Sequence, residues 1–368
     1  MPLLHKEDWE AMQARMRAWW ARENFGRCGL AVTAPREGAP DRPPPPRPAD
    51  PQTCWTDLDY ISALRQWEHE RTFFGGEAFP VWHGGYPCNK THAAFLGCRV
   101  DLDFHTGWVN PHPALAGEGL DVRGLRIDDD GPAMRLQLAV LRRGVREAKG
   151  KSVVGVGAFG GVGDTLAWLR GTERLLLDLA DRPDDVRAAE LHLMDQWCDL
   201  YGRFHALTRD AAEGSTCWFG LWSPGKFYAT QNDFAYMISP RMFESIFLPA
   251  LRKQLDFLDH AIHHVDGEGN FAHVDLLCSL ERLHGLQILP GAGKPDPLHY
   301  MPVLRKVQAA GKNLHISVPP QRVREALREL SARGLFITTH CRTEAEAREL
   351  LRKEIGRASC RERVLYTV

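Results

Sequence analysis

The sequence has no excess of charge of either sign, and it lacks any long apolar run. Its 368 residues carry 46 lysines and arginines against 47 aspartates and glutamates, a formal net charge of −1. That balance argues against a nucleic acid or an anionic membrane surface as partner, because both attract a basic excess. No apolar run reaches the roughly 18 residues that a membrane-spanning helix needs.

Several common motifs are also missing. The 9 cysteines include no C-x-x-C pair, so reduced thiols are expected rather than a zinc ribbon or a disulfide framework. The first residues lack a basic region followed by an apolar one, so no secretory signal is predicted and we expect a cytoplasmic protein. The glycine-rich run 155–163 fits neither the G-x-G-x-x-G nor the Walker spacing. The run therefore indicates a loop whose backbone needs the conformational freedom of glycine. The alternative is a loop that binds a phosphate group.

Two features stand out near the N-terminus. Residues 5–24 have the three- and four-residue spacing of an amphipathic helix, which we expect to pack on the main domain. Its apolar positions are Trp9, Met12, Met16, Trp19 and Trp20. Residues 35–51 are so rich in proline that neither a helix nor a central strand can form there. We therefore predict that residues 1–54 are a helix followed by a Pro-rich surface loop.

From about residue 55, short β-rich runs alternate with long helical patterns. The predicted strands are 79–83, 153–159, 217–222, 262–265, 286–289, 314–317 and 336–339. Such alternation indicates parallel strands joined by crossover helices. Seven or eight units over about 300 residues fit a closed barrel better than an open sheet. The predicted fold is therefore an α/β, (β/α)8 TIM barrel over residues 55–353, with the N-terminal helix as an extension.

The C-terminal segment 354–368 breaks the preceding pattern. It resembles a translated high-throughput sequencing adapter, so we expect it to be an artefact and the natural C-terminus to be missing.

The richest cluster of polar residues follows the predicted strand 262–265. His264 and Asp266 are two residues apart, so on an extended strand both side chains point to the same side. An imidazole and a carboxylate in this arrangement can bind a divalent metal, or act as a base with its orienting partner. Gly267 allows the sharp turn of the chain that must follow such a site. The alternative is that Asp266 caps the next turn and His264 is a core histidine.

Further candidates lie near other predicted strand ends. Cys341 follows the strand 336–339, where a thiolate can complete a metal site, although a structural thiol is the alternative. Asp233 is a candidate catalytic residue. The remaining candidates are expected to bind a cofactor or line the pocket: Gly291, Gly293 and Trp222. For Trp222, the alternative is packing in the core.

Taken together, these motifs resemble the uroporphyrinogen decarboxylase-like superfamily, whose barrel also serves cobalamin-dependent methyltransferases. The resemblance covers roughly residues 55–353. The residues that carry it are the stretch 163–178, Arg182-Pro183, Asp233, the stretch 237–243, Leu248-Pro249, the stretch 264–267 and the stretch 289–293.

The methyltransferase branch of that superfamily binds zinc through a His-x-Cys-Gly segment and a later cysteine. The matching segment here is 264–267, in which Asp266 replaces the first cysteine, and the later position falls near Cys341. The resemblance therefore implies a zinc site formed by His264, Asp266 and Cys341. It also implies a corrinoid, as substrate or as a group on a partner protein.

The function expected from this resemblance is metal-assisted methyl transfer linked to a corrinoid. Asp233 and the loop at 290–293 would help to shape the pocket for a small-molecule substrate. The enzymatic alternative is a uroporphyrinogen-type decarboxylase, although the arginine-rich N-terminal loop of that branch has no match here. The remaining alternative is a non-catalytic barrel that binds a corrinoid or another ligand.

Overall fold

The computed structural model describes residues 3–23, 26–85, 87 and 89–361, with side chains to Glu354 except that of Ala212. The helices are Trp9–Trp20 (α1), Pro51–Thr56 (α2), Leu58–Arg71 (α3), His92–Phe95 (α4), Pro132–Ala148 (α5), Asp164–Arg170 (α6), Thr172–Asp181 (α7), Pro183–Ala212 (α8), Pro240–Met242 (α9), Leu248–Phe257 (α10), Val274–Cys278 (α11), Met301–Ala309 (α12), Val323–Glu329 (α13) and Glu344–Arg361 (α14). The strands are Gly29–Pro35 (β1), Thr72–Gly76 (β2), Val81–Trp82 (β3), Val100–Leu102 (β4), Gly107–Val109 (β5), Val153–Val154 (β6), Ser215–Thr216 (β7), Trp222–Ser223 (β8), Phe227–Gln231 (β9), His260–Asp266 (β10), Gly285–Leu289 (β11), Asn313–Ser317 (β12) and Leu335–His340 (β13).

The fold is mixed α/β and is built on a seven-stranded, mostly parallel sheet. Its strand order is β2-β1-β13-β12-β11-β10-β9, and only the β1–β2 pair is antiparallel. Crossover helices join the parallel strands, as the alternation of short strands and helices predicts. Strands β3 and β6 form a separate parallel pair. Among the described residues no ladder of hydrogen bonds joins this pair to the large sheet, so closure into a barrel is not seen in the strand pairing.

The predicted strands 262–265, 286–289, 314–317 and 336–339 are confirmed as β10 to β13. The predicted runs 153–159 and 217–222 are mostly loop, with only short strands inside or beside them. Three strands of the seven-stranded sheet were not predicted, namely β1, β2 and β9. Strand β1 lies between β2 and β13, so the expected N-terminal region 1–54 supplies a strand of the central sheet, and strand β9 lies at one edge of it.

The expected N-terminal helix is confirmed as α1. All five of its apolar positions are buried, including Met12 and Trp19 at 0% and 1% exposure. The ring of Trp19 lies 5.4 Å from that of Phe336 near the start of β13, and the ring of Trp20 lies 5.2 Å from that of Phe227 at the start of β9. Helix α1 therefore covers the amino-terminal ends of the parallel strands. This leaves the carboxyl-terminal ends for a site.

The Pro-rich segment is also confirmed as irregular. Residues 36–50 contain neither helix nor strand, while Pro35 ends β1 and Pro51 begins α2. Helix α14 continues to Arg361, beyond the boundary at residue 354 that the sequence suggested. The rest of the expected adapter segment, residues 362–368, lies outside the described residues. Within the described part of the chain, no helix combines the length and apolar character needed to cross a membrane.

The stretch 163–178, on which much of the family resemblance rests, contains a buried ion pair. The Arg170 guanidinium donates to both carboxylate oxygens of Asp178, at 2.6 and 3.1 Å, and both side chains are almost fully buried. The same guanidinium also donates to the carbonyl oxygens of Leu115 and Gly117. This part of the motif therefore joins helices α6 and α7 to a preceding loop, which is a structural role.

Candidate metal centre

The candidate site lies where β9 and β10 end. These strands are parallel neighbours, and Gln231 pairs with His264 in their register. Asp233 follows Gln231 by two residues, just as Asp266 follows His264, so the register brings the two aspartates side by side. Alternation along β10 places His264 and Asp266 on one face, as the sequence predicted. Beyond Asp266, Gly267 turns the chain away with φ +83°.

Three potential metal ligands converge at this point: Asp233, His264 and Asp266. One donor atom from each lies within 4.8 Å of the other two. The Nε2 atom of His264 lies 3.9 Å from Oδ2 of Asp266. Ligands of one cation at roughly 2.0–2.2 Å from it lie about 3–4.5 Å apart, so small side-chain rotations would suffice for binding. His264 is 13% exposed and Asp266 is 44% exposed, which leaves the group open to a ligand from solvent.

A neighbouring strand fixes the orientation of the imidazole. The Nδ1–H group of His264 donates to Oε1 of Gln287, at 2.5 Å, and Gln287 is the residue paired with His264 in β11. A proton on Nδ1 leaves the lone pair on Nε2, the nitrogen nearest Asp266. This is the arrangement in which a metal-ligating histidine is usually held by a second residue.

The carboxylates at this site form a chain that leads into the protein. Asp233 is exposed, yet neighbouring protein atoms displace part of its water, and this loss together with the charge of Asp266 raises the pKa of Asp233 to about 6. Burial, and the charge of Asp233, raise the pKa of Asp164 to about 7, although Asp164 accepts hydrogen bonds from the Gln231 side chain and the Phe234 amide. A cation or a shared proton would relieve this accumulation of negative charge.

Further inside lies Glu190, which the sequence analysis did not single out. Burial raises the pKa of Glu190 to about 8, and one of its oxygens accepts a hydrogen bond from the Gly163 amide. The other oxygen has no hydrogen-bond partner among the described residues. Glu190 and Asp164 could not be found from spacing alone, because they come from helices α8 and α6, far apart in sequence from β10.

These pKa values lead to a prediction for the metal-free protein. An unfolded aspartate has a pKa near 3.8, so between about pH 4 and pH 7 the folded state holds a proton on Asp164 that the unfolded state has lost. The free energy of unfolding should therefore fall as pH rises through this range, by at most about 1.4 kcal/mol per pH unit for this group. Asp164→Asn should flatten that fall. Urea denaturation at pH 5 and pH 8 in the presence of a chelator measures it.

Asp184→Asn is a suitable control for this experiment. Asp184 is 89% exposed in α8, and its substitution should leave the pH dependence of the wild type unchanged. An Asp164→Asn protein that loses as much stability as the wild type between the two pH values would contradict the prediction.

The structure does not bring Cys341 into this group. Among the described residues, the set of donors within 4.8 Å contains Asp233 and not Cys341. Residues 336 and 338 of β13 face inward, since Phe336 packs on Trp19 and Thr338 bonds the His315 ring. Alternation then places His340 on that inner face, and Cys341 on the opposite face in the hydrophobic core.

The surroundings of Cys341 also disfavour a thiolate. The residue is fully buried, and burial together with the charge of Glu346 in α14 raises the pKa of the thiol to about 11. The predicted set of His264, Asp266 and Cys341 is therefore not the one that the structure brings together, which is Asp233, His264 and Asp266.

The three predicted cofactor-binding residues have different positions. Gly291 lies beside the site, because a Cβ atom built on it would be 3.3 Å from Cα of Gly267. Gly293 follows in the same loop with φ +73° and open space around it. Trp222 is fully buried, with its ring 6.0 Å from that of Trp9 in α1. It belongs to the core at the opposite end of the strands, so its predicted role in ligand binding is not supported.

Tyr236 is a residue at the site that the sequence analysis missed. It is 55% exposed, although large aromatic side chains are usually covered. A Cβ atom built on Gly267 or Gly269 would come within 2.9 Å of its ring, so both glycines are needed to let the ring lie over this loop. Tyr236 therefore lies exposed over the loop that follows Asp266.

No family model matches this chain, and no curated protein matches its sequence.

Proposed function

We propose that this protein is a metal-dependent enzyme in which Asp233, His264 and Asp266 hold a divalent cation. The observation that carries this proposal is the convergence of the three donors, from two adjacent parallel strands, within 4.8 Å of one another. One imidazole nitrogen and two carboxylate oxygens suit zinc, manganese or iron(II). When bound, the cation would act as a Lewis acid toward a heteroatom of the substrate.

The other residues at the site would orient the ligands and handle protons. Gln287 holds the Nδ1–H group of His264 and so keeps Nε2 directed toward the carboxylates. Asp164 is not among the ligands, and in the metal-free protein burial and the charge of Asp233 raise the pKa of its carboxyl to about 7. Asp164 would therefore take up the proton that a substrate hydroxyl loses, while Asp233 stays ionised as a ligand.

The reaction that we propose is methyl transfer to that heteroatom, with a corrinoid as methyl carrier, either free or bound to a partner protein. It is supported by the resemblance of residues 55–353 to the uroporphyrinogen decarboxylase-like superfamily. Because Asp233 takes the place expected for Cys341, the donor set is harder than one with a thiolate. This favours a hydroxyl or carboxylate acceptor over a thiol. The cysteines described are all free, which supports the proposed cytoplasmic location.

A second candidate reaction is decarboxylation by protonation of the carbon that loses carbon dioxide. The observation that favours it is the raised pKa of Asp164 and Asp233, because a carboxylic acid that keeps its proton near neutral pH can donate it to carbon. This reaction needs no cation. Dependence on metal therefore separates the two candidates.

We also propose that the eight parallel strands form a closed barrel, in which β3 and β6 fill the gap between β9 and the other edge of the sheet, where β2 pairs with β1. The parallel pairing of β3 with β6 supports this arrangement. The loop after β6 also reaches the carboxyl end of β9, where a Cβ atom built on Gly161 would be 3.0 Å from the Gln231 carbonyl oxygen. An experimental structure with β6 remote from β9 would contradict the proposal.

The proposed function predicts metal dependence, which can be tested on the full chain. Protein stripped with a chelator and dialysed against zinc or manganese should retain about one cation per chain, measured by atomic emission. Methylcobalamin should then lose its methyl group to a hydroxyl- or carboxylate-bearing acceptor only in the loaded protein, which is followed by the change in corrinoid absorbance. Release of carbon dioxide from a carboxylic substrate by the stripped protein would favour the second candidate. Failure to retain any cation would contradict the metal centre itself.

A further inference from the structure

The carboxyl groups at the metal centre have no basic side chain to balance them. Two of these groups, Asp233 and Asp266, are ligands in the proposed set, and two more, Asp164 and Glu190, lie buried behind them. Among the described residues, no lysine or arginine forms an ion pair with any of the four, and Asp266 pairs only with the ring of His264. A divalent cation would cancel the charges of the two ligands, and the two buried carboxyls can add only negative charge.

The basic side chains of the neighbouring loops are paired with other carboxylates. Lys294, in the loop after β11, lies 3.4 Å from Glu268. Arg322, beyond β12, pairs with Asp296 at 2.6 Å and also with Glu325. A substrate with a carboxylate of its own would therefore meet no unpaired lysine or arginine among the described residues of these two loops. Of the two acceptors that the donor set favours, a hydroxyl fits this site better than a carboxylate.

An exposed apolar patch lies at the same strand ends. Within the described part of the chain, five large apolar side chains are exposed, and two of them are the consecutive residues Tyr236 and Met237, at 55% and 47%. Tyr236 is three positions after Asp233 in the short 3-10 helix Asp233–Met237. Exposed apolar side chains beside a polar site are typical of ligand-binding surfaces. A substrate that covers this patch would bury apolar surface while its hydroxyl reaches the cation.

The position of the Tyr236 ring is fixed by the loop that carries Asp266. A Cβ atom built on Gly267 or Gly269 would come within 2.9 Å of the ring, so the ring lies directly against this loop. Gly267 adjoins Asp266 in the chain, and consecutive Cα atoms are about 3.8 Å apart, so the ring is a near neighbour of a metal ligand. The Nε2–H group of buried His273 donates to the carbonyl oxygen of the residue before Tyr236, at 3.0 Å. A fixed aromatic ring that is more than half exposed is suited to stacking against a second flat ring.

We propose that the substrate whose hydroxyl binds the cation is an uncharged aromatic alcohol of the phenol class, with its ring against Tyr236. This inference rests on the proposed function, because the hydroxyl needs the cation. A phenol loses its proton near pH 10 in water, and a bound divalent cation lowers that value. In the transfer, the phenol oxygen bonds to the methyl carbon, the cobalt–carbon bond of the corrinoid breaks with both electrons left on the cobalt, and the hydroxyl proton goes to Asp164.

Phenol is the probe for the test. The zinc-loaded full chain should bind phenol saturably in isothermal titration calorimetry. Cyclohexanol, which has a hydroxyl but no flat ring, should bind at least about tenfold more weakly. 4-Hydroxybenzoate adds a carboxylate to the same ring and hydroxyl. It should also bind at least about tenfold more weakly, because the described residues of the site include no lysine or arginine for the added charge.

Two substitutions of Tyr236 separate the contribution of the ring from that of its hydroxyl. Tyr236→Ala should weaken phenol binding by about threefold to tenfold, because stacking is lost, whereas Tyr236→Phe should bind phenol as the wild type does. Both variants should fold and retain about one zinc ion per chain, since Tyr236 is exposed and is not a ligand. Trp108→Ala is the matched control, because Trp108 is also an exposed aromatic residue, at 57% in β5, and its loss should leave phenol binding unchanged.

Several results would overturn this inference while leaving the metal centre in place. They are a zinc-loaded wild type that does not bind phenol, binding of cyclohexanol or 4-hydroxybenzoate as tight as that of phenol, and a Tyr236→Ala protein that binds phenol like the wild type. A wild type that retains no zinc would instead contradict the proposed function, and the inference would fail with it.

Discussion

Replacing His264 with alanine is expected to weaken zinc or manganese binding by roughly a hundredfold or more. His264 is the only nitrogen ligand in the proposed set, and its loss leaves two carboxylates that also repel each other. Loss of a residue that merely orients a ligand costs about tenfold to a hundredfold, and loss of the ligand itself should cost more. Asp233→Asn should give a similar loss. Competition with a chromogenic chelator measures both affinities.

Two controls make this prediction specific. Cys341→Ser should bind the cation as the wild type does, because the thiol lies in the core and outside the group of three donors. Asp184→Asn removes an exposed carboxylate of α8 and should also have no effect on metal affinity. If Cys341→Ser weakened binding as strongly as His264→Ala, the cysteine-containing set would be restored and the role given to Asp233 would be wrong.

Replacing Trp19 with alanine is expected to lower the free energy of unfolding by about 3–5 kcal/mol. Trp19 is 1% exposed, and its ring lies 4.7 Å from that of Trp20 and 5.4 Å from that of Phe336. The truncation would leave a large void between α1 and the starts of the parallel strands, and the surrounding rings could fill it only in part. Urea denaturation at a fixed pH measures the change.

Trp108→Ala is the matched control, because Trp108 has the same side chain and is 57% exposed in β5. Its substitution should change the free energy of unfolding by about 0.5 kcal/mol or less. A Trp19→Ala protein as stable as the Trp108→Ala protein would show that α1 does not contribute to the core of the domain.

The sequence was most informative where one periodic pattern was long or uninterrupted. The spacing of Trp9, Met12 and Met16 predicted α1 and its buried face, because a helix needs only its own period to define a face. Strands β10 to β13 were recognised because short β-rich runs recur there between helical patterns. Strand β9, with sequence Phe-Tyr-Ala-Thr-Gln, was missed because the preceding run 217–222 was assigned as the strand of this region.

The site shows the limit of this reasoning most directly. The pairing of His264 with Asp266 followed from the sequence alone, since two residues on one strand share a face by alternation. The position of Cys341 outside the site did not follow from the sequence, because a shift of one residue in the inward-facing register of β13 reverses which side chain meets the interior. That register is set by Phe336 packing on Trp19 and by Thr338 bonding His315.

The sequence by itself therefore determined the α/β class, the N-terminal helix, the irregular Pro-rich segment and the strand end where His264 and Asp266 lie. Only the tertiary structure decided that Asp233 is the third donor of the group. It also decided that two more carboxyl groups, Asp164 and Glu190, lie buried behind the site, and that Trp222 packs against α1. The physical reason is that those relationships depend on the register between neighbouring strands and on contacts between helices far apart in sequence. Local periodicity carries information about each element and none about which elements become neighbours.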